Sequence, residues 1–316
     1  MPTPPLPDDV LIEALNLAEQ YGSPHMAFKA GATKIHPNTL VARIQTARIR
    51  NLKPTVSRDA PRIKMRQRIG KMHLVIPDVQ SKPDVRNDHM EWVGNYIVEK
   101  KPDTIICIGD FWDFPSLSSY DKGKIDFEGR RYVKDVEAGR KAMDKLLKPM
   151  KEYNRTNKEQ YTPEMHFCMG NHEIRVSRVV DINPEFEGKF DLGDLGLEAD
   201  GWKVHDFLKV VTLDGIQYSH YFTSGVMGRP VSSAAALLRE RQASATMGHV
   251  QHTDIAIHKK TQNIALFCGT CYLHDERYLG PQGNDCKRQI VVKNEVENGR
   301  YDPMFASLKY LSKAYA

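Results

Sequence analysis

The sequence predicts an α/β domain with mixed strands, preceded by a small all-α module. Three observations carry this. From Met72 onward, apolar runs of strand length alternate with helical patterns; two-residue turn signals mark the second half; and residues 1–54 show helical periodicity alone.

Residues 8–20, DDVLIEALNLAEQ, set Leu11, Ala14, Leu15 and Ala18 on one helical face, with acidic residues in the first turn. YGSP at 21–24 breaks that helix. A short one around His25–Ala30 follows, with Gly31 as its stop. Pro37 opens a third, whose apolar stripe is Leu40, Val41, Ile44, Ala47 and Ile49. Its other positions carry Asn38, Thr39, Arg43, Arg48 and Arg50, side chains suited to phosphates and base edges. Three short helices, the last polar and basic, resemble a helix-turn-helix module with a turn a few residues longer than usual. The alternative is a three-helix cap that docks protein. Residues 55–71 read as a basic linker containing Arg58, Arg62, Lys64, Arg66, Arg68 and Lys71.

The main domain spans 72–316. MHLVIP, TIICIG and MHFCMG read as strands, separated by helical patterns over 87–100 and 131–152. That spacing implies parallel pairing through right-handed crossovers. Asp214-Gly215 and Asn298-Gly299 are hairpin signals, so the second half turns antiparallel.

Hydrophobic residues make up 41% and charged residues 27%, values ordinary for a globular domain. No apolar run approaches the roughly 18 to 20 residues that span a bilayer, and the N-terminus lacks a signal-peptide layout. Five widely spaced cysteines point to a reducing compartment, so a cytoplasmic protein without a membrane partner is expected. The net charge of +5 is uneven: residues 1–71 hold 12 Lys/Arg against 5 Asp/Glu, a balance of +7. A basic segment on a nearly neutral body is a cue for DNA or another nucleic acid as partner. Oligomeric state leaves no mark in the sequence.

Each apolar strand ends in a polar group: Asp78-Val79-Gln80, then Asp110-Phe111-Trp112-Asp113, then Gly170-Asn171-His172-Glu173. Later come His220, and Gly248-His249 followed by Gln251 and His252. Singly these are common turn and cap residues. The ordered set of metal-ligand types at strand ends, where open α/β sheets place their sites, is the signal.

Over roughly residues 72–275 this set resembles the calcineurin-like metallophosphoesterase superfamily, whose pattern is D-x-H, G-D-x-x-D, G-N-H-D/E, a lone His, then G-H-x-H. The resemblance implies two mixed sheets flanked by helices, and phosphoester hydrolysis by a hydroxide bridging two divalent metals. It implies Asp110 as the bridging ligand, Asp78 and Gln80 on the first metal, and Asn171, His220 and His249 on the second. His172 matches the proton donor to the leaving oxygen, and Asp113 the carboxylate that orients it. Mixed oxygen and nitrogen donors suit Mn²⁺ best, with Fe²⁺, Zn²⁺ or Ni²⁺ as alternatives.

The chain departs from the pattern in three places. Gln80 stands where the family has His. Gln251 takes the second-histidine position, with His252 one residue late, so His252 becomes a ligand only if a turn brings it in. Phe114 stands where relatives that dephosphorylate proteins carry Arg, which argues against a protein phosphatase. The expected activity is a nuclease or phosphodiesterase on nucleic acid or nucleotides. The alternatives are a DNA-binding protein with a degenerate, inactive phosphoesterase domain, or a phosphomonoesterase or protein phosphatase. A separate zinc site at Cys268, Cys271, His274 and Cys286 is a rival reading of the cysteines.

Overall fold

A computed structural model describes residues 5–55 and 70–316. The linker arginines and lysine at 58–68 lie outside the described residues. The chain divides into two compact units, residues 1–68 and 69–316.

In the first unit, α1 (Asp8–Tyr21), α2 (Pro24–Lys29) and α3 (Pro37–Ile49) pack around Leu11, Ala14, Leu15, Leu40, Ile44 and Ala47. Ser23 caps α2, its side chain accepting the Met26 N–H at 3.2 Å. The expected stripe on α3 is narrower than its apolar residues suggest. Leu40, Ile44 and Ala47 face the core at helical spacing, whereas Val41 and Ile49 are exposed on other faces.

The second unit contains β1 (Lys71–Ile76), α4 (His89–Lys100), β2 (Thr104–Cys107), α5 (Tyr132–Thr156), β3 (Glu164–Cys168), α6 (Arg175–Ile182) and β4 (Lys203–His205). Then come β5 (Val211–Leu213), β6 (Ile216–Tyr218), the hairpin β7 (Thr223–Ser224) and β8 (Arg229–Pro230), α7 (Ala234–Arg241) and β9 (Ser244–Met247). The chain closes with β10 (Thr253–Ile257), β11 (Ile264–Cys268), α8 (Gly280–Gly283), β12 (Gln289–Glu297), β13 (Arg300–Ser307) and α9 (Leu308–Tyr315).

Two mixed sheets result. One runs β13-β12-β1-β2-β3-β4, parallel from β1 to β4 and antiparallel at β12 and β13. The other runs β10-β11-β9-β6-β5, parallel in its centre and antiparallel at both edges. Both hairpin signals form: Asp214-Gly215 joins β5 to β6, and Asn298-Gly299 joins β12 to β13. All four turn residues have positive φ, as this turn type requires.

Strand alternation builds the layers. Leu74, Ile76, Ile105, Cys107, Phe167, Ile290 and Val292 face α4, α5 and α9. Their neighbours Val75, Ile106, Ile108, Cys168 and Val291 meet Ile216, Tyr218, Ile264 and Leu266 between the sheets. Ala245, Met247, Ala265 and Phe267 turn outward to α7. The order is helices, sheet, sheet, helix, an α/β fold of mixed sheets flanked by helices as the sequence predicts. Among the described residues no helix is long and apolar enough to cross a membrane.

Lys293 interrupts the inter-sheet core. It is fully buried, bonded to Thr246 Oγ1, with its ammonium 4.4 Å from the ring centres of both Tyr218 and Tyr301. Burial pushes its affinity for a proton down to about 7.

Candidate metal centre

The carboxyl ends of β1, β2 and β3 deliver Asp78, Asp110 and Asn171 from one sheet. The ends of β6 and β9 deliver His220 and His249 from the other. Asp110 has φ 51°, Gln80 45° and His249 67°, left-handed conformations that cost a non-glycine residue about 1–3 kcal/mol. These turns aim the side chains where a regular strand would not. Two glycines let the backbones close in. A Cβ on Gly170 would lie 2.2 Å from Asp110 Oδ1, and one on Gly248 would lie 2.4 Å from Asp78 Oδ1.

Asp110, His220 and His249 offer donor atoms within 4.8 Å of one another, the one such grouping of histidine, cysteine and carboxylate ligands among the described residues. Asn171 Oδ1 sits between the two rings, 2.9 Å from His220 Nε2 and 2.7 Å from His249 Nδ1. His220 Nδ1 faces the Ile108 carbonyl at 2.9 Å and must donate to it. Its Nε2 faces Asn171 Oδ1 and, at 3.3 Å, Asp110 Oδ2, which are both acceptors. That arrangement is satisfied by an imidazolium, or by a cation among the donors with Nδ1–H held on the carbonyl, the orientation usual for a ligating histidine. Burial disfavours the charged ring, but Asp110 outweighs it and raises His220 to about 9. His249 moves the other way, to about 4, through burial and the neighbouring His220. Burial also opposes ionisation of Asp110, yet His172 and His220 hold its carboxyl well below the usual range.

Asp78 is fully buried and accepts the His249 N–H at 3.1–3.2 Å; burial and Asp110 raise it to about 7. Gln80 is 1% exposed, and neither of its amide atoms has a hydrogen-bond partner among the described residues. A buried amide left unpaired costs about 1–3 kcal/mol, and a cation on Oε1 would offset the oxygen's share of it. The donors of Asp110, His220 and His249, with Asn171 Oδ1 between the two rings, therefore fit a divalent cation.

His252 is not brought into this group. The 248–252 turn, with positive φ at His249 and Gln251, leaves His252 exposed, its Nδ1 on the Val250 carbonyl at 3.0 Å. Gln251 turns to Tyr272, accepting its hydroxyl at 3.2 Å. The rival cysteine grouping does not converge either: Cys268 lies between the sheets and Cys271 in the helix-side layer.

His172 Nδ1 meets Asp113 Oδ1 at 2.9 Å and the Asp113 carbonyl at 3.0 Å, which places its proton on Nδ1 and leaves Nε2 facing the centre, 3.7 Å from Asp110 Oδ2. Burial works against the His172 cation, but Asp110 and Asp113 raise its proton affinity overall. Asp113 Oδ2 is held by Lys82 Nζ at 3.0 Å, and Lys82 in turn by Glu276 at 2.5 Å.

Four further residues line or brace the group. Glu173, fully buried, accepts the backbone N–H groups of Asp110 (3.0 Å), Gly170 (2.9 Å) and Trp112 (3.0 Å). Lys82 lies two residues past Gln80, Arg175 opens α6, and the Tyr221 ring lies 4.6 Å from that of His249. Glu173 already stands in the Gly170–Glu173 motif, alternation from Gln80 could have found Lys82, and nothing local marks Arg175 or Tyr221. In the first unit, Asn38, Thr39 and Arg48 are exposed and Arg43 is half-buried, while Arg50 pairs with Asp8 at 2.7 Å.

No protein-family model matches the sequence, and no curated protein does. Among solved structures, the chain is similar to a conserved uncharacterised protein from Streptococcus pneumoniae TIGR4, described as a predicted phosphoesterase. The identity is 12% and the TM-score 0.29, over 74% of this chain and 97% of that one. A second solved structure has 10% identity and a TM-score of 0.28, over 75% of this chain and 99% of its own.

Proposed function

We propose that the chain is a metal-dependent phosphoesterase acting on nucleic acid or nucleotides. The observation that carries this is the meeting of Asn171 Oδ1, Asp110 Oδ2 and His220 Nε2, a set that a bound cation satisfies, beside a histidine whose Nδ1 is fixed by Asp113. Divalent cations bound there supply positive charge against phosphoryl oxygens and lower the pKa of an attacking water. The chain's own part is to position and protonate. Asp113, braced by Lys82, keeps the His172 proton on Nδ1 in the resting state, and Nε2, once protonated, delivers a proton to the leaving oxygen.

The nucleotide reading is supported by the wall beside His220 and His249. Tyr221 and Phe207 lie edge to face at 5.6 Å, and the Arg178 guanidinium lies 6.0 Å from the Phe207 ring. Aromatic faces with an arginine suit a stacked base. The basic N-terminal segment supports a polyanionic substrate, with α3 as the element that meets it.

Purified protein with Mn²⁺ and bis-p-nitrophenyl phosphate tests the enzyme reading. Turnover equal to that of an Asp110→Asn variant would sink it and favour a nucleic-acid-binding protein with an inactive domain, the reading that Gln80 favours. A panel of DNA, RNA, cyclic nucleotides and phosphopeptides then tests the substrate class.

A further inference from the structure

Arg175 opens α6, four residues beyond Asn171, and its guanidinium lies over the acid rather than over a carboxylate. Nη1 donates to the Asp113 carbonyl at 2.7 Å and the Phe114 carbonyl at 3.3 Å. Nη2 lies 3.1 Å from His172 Nε2. The Asp113 carboxylate is 3.7 Å from Nη1 and already bonded to His172 and Lys82.

Two features follow. One guanidinium nitrogen is pinned by two backbone oxygens, so the group is pre-oriented and loses little freedom when it binds. The other nitrogen faces the imidazole atom that must reach the leaving oxygen, so whatever oxyanion sits within reach of His172 Nε2 also sits within reach of Arg175. The side chain is 18% exposed, enough to be met by a ligand while shielded from bulk water. A rigid, planar donor in such a place suits a phosphoryl oxyanion better than any other ligand the site could meet.

We propose that Arg175 binds a non-bridging oxygen of the phosphoryl group, opposite the carboxylates and histidines of the metal centre. The inference rests on the phosphoesterase reading. Arg175 closes the phosphoryl site from α6, and contact with the ligand draws Nη2 away from His172, freeing Nε2 for the leaving group.

The test uses the full chain with Mn²⁺ and inorganic phosphate as probe, comparing wild type with Arg175→Ala and Arg175→Lys. Phosphate binding is read by calorimetry and, independently, as competitive inhibition of bis-p-nitrophenyl phosphate hydrolysis. Phosphate affinity is expected to fall tenfold or more in Arg175→Ala, with Mn²⁺ affinity within error of wild type and the melting temperature lowered by no more than loss of the two backbone hydrogen bonds accounts for. Lysine is expected to restore only part of it, and added guanidinium to restore part of it in the alanine variant. Unchanged phosphate affinity in Arg175→Ala would overturn the proposal. So would a loss matched by equal losses in Mn²⁺ affinity and melting temperature, because Arg175 would then only be holding the 113–114 backbone. A wild type that binds phosphate but never turns over sinks the phosphoesterase reading alone, and the variants still decide the role of Arg175. A wild type that turns over but binds no phosphate overturns the role of Arg175 and leaves the phosphoesterase reading standing.

Discussion

The carboxylate of Glu173 accepts the backbone N–H of Asp110 at 3.0 Å, so one motif holds the backbone of another. The same carboxylate takes the N–H groups of Gly170 and Trp112, and thereby fixes the left-handed turn at Asp110. Glutamine offers one acceptor oxygen and turns an NH₂ toward backbone donors. Glu173→Gln is expected to cost about 2–3 kcal/mol, which is roughly 5–10 °C in melting temperature for a domain of this size. Calorimetric melting would show it; a change under 1 °C would mean that the three bonds are replaceable.

Gln80 carries two unpaired amide atoms in a buried position beside Asp78. An imidazole binds Mn²⁺ more strongly than an amide oxygen. If Gln80 is a ligand, Gln80→His should tighten Mn²⁺ binding by about tenfold, or ~1.4 kcal/mol. Isothermal titration measures this, and an identical isotherm would place Gln80 outside the centre.

Donors from both sheets must be deprotonated and drawn together for a cation to bind, so binding favours the folded state alone. At about a hundredfold excess of Mn²⁺ over its dissociation constant, the stabilisation is about 2.7 kcal/mol. Melting with Mn²⁺ against melting with a chelator measures this, and Asp110→Asn should abolish the difference. A difference that survives in Asp110→Asn would put the ion elsewhere.

Lys293 binds its proton less tightly in the folded chain, at about 7, than in the unfolded one, near 10.5. Between those values the unfolded state holds more protons, so this group's contribution to stability rises with pH. The slope approaches 1.4 kcal/mol per pH unit at most. In urea unfolding between pH 7 and 9, wild type should gain stability relative to Lys293→Met as pH rises. Parallel curves would show that Lys293 is not titrating in that window.

For the first unit, gel-shift affinity for duplex DNA against salt is the measurement. Arg48→Ala should lower the log–log slope by about one, as loss of a phosphate contact does. Arg50→Ala should change it less, because Arg50 already donates to Asp8 Oδ1 and the Leu6 carbonyl. Binding insensitive to salt would favour a protein-docking cap.

The strands were legible because continuous apolar runs of strand length, such as Leu74–Ile76 and Ile105–Ile108, are a local property that a sheet covered on both faces preserves. The hairpins were legible for a like reason, since Asp-Gly and Asn-Gly carry their own φ preference. The order of site residues was readable as strand ends. What escaped depends on contacts across the chain. Whether His252 enters is decided by backbone angles at 249 and 251, and three motif-like residues in a row give no hint of them. Lys82 and Glu276 are 194 residues apart and meet only after both sheets have formed. Arg175 carries no motif signal, and its place is set by the Asp113 and Phe114 carbonyls, 62 and 61 residues earlier in the chain.

The centre is split between the two sheets, and this gives it a mechanical character. Asp78, Asp110 and Asn171 move with one β-layer, while His220 and His249 move with the other. The sandwich is thus a hinge-plate pair with the ligands along one seam, and any slip of one layer over the other is felt there first. A substitution deep between the sheets, such as one at Lys293 or Tyr218, is expected to change cation affinity without touching a donor. Cation affinity is therefore a gauge of how tightly the two layers are clasped.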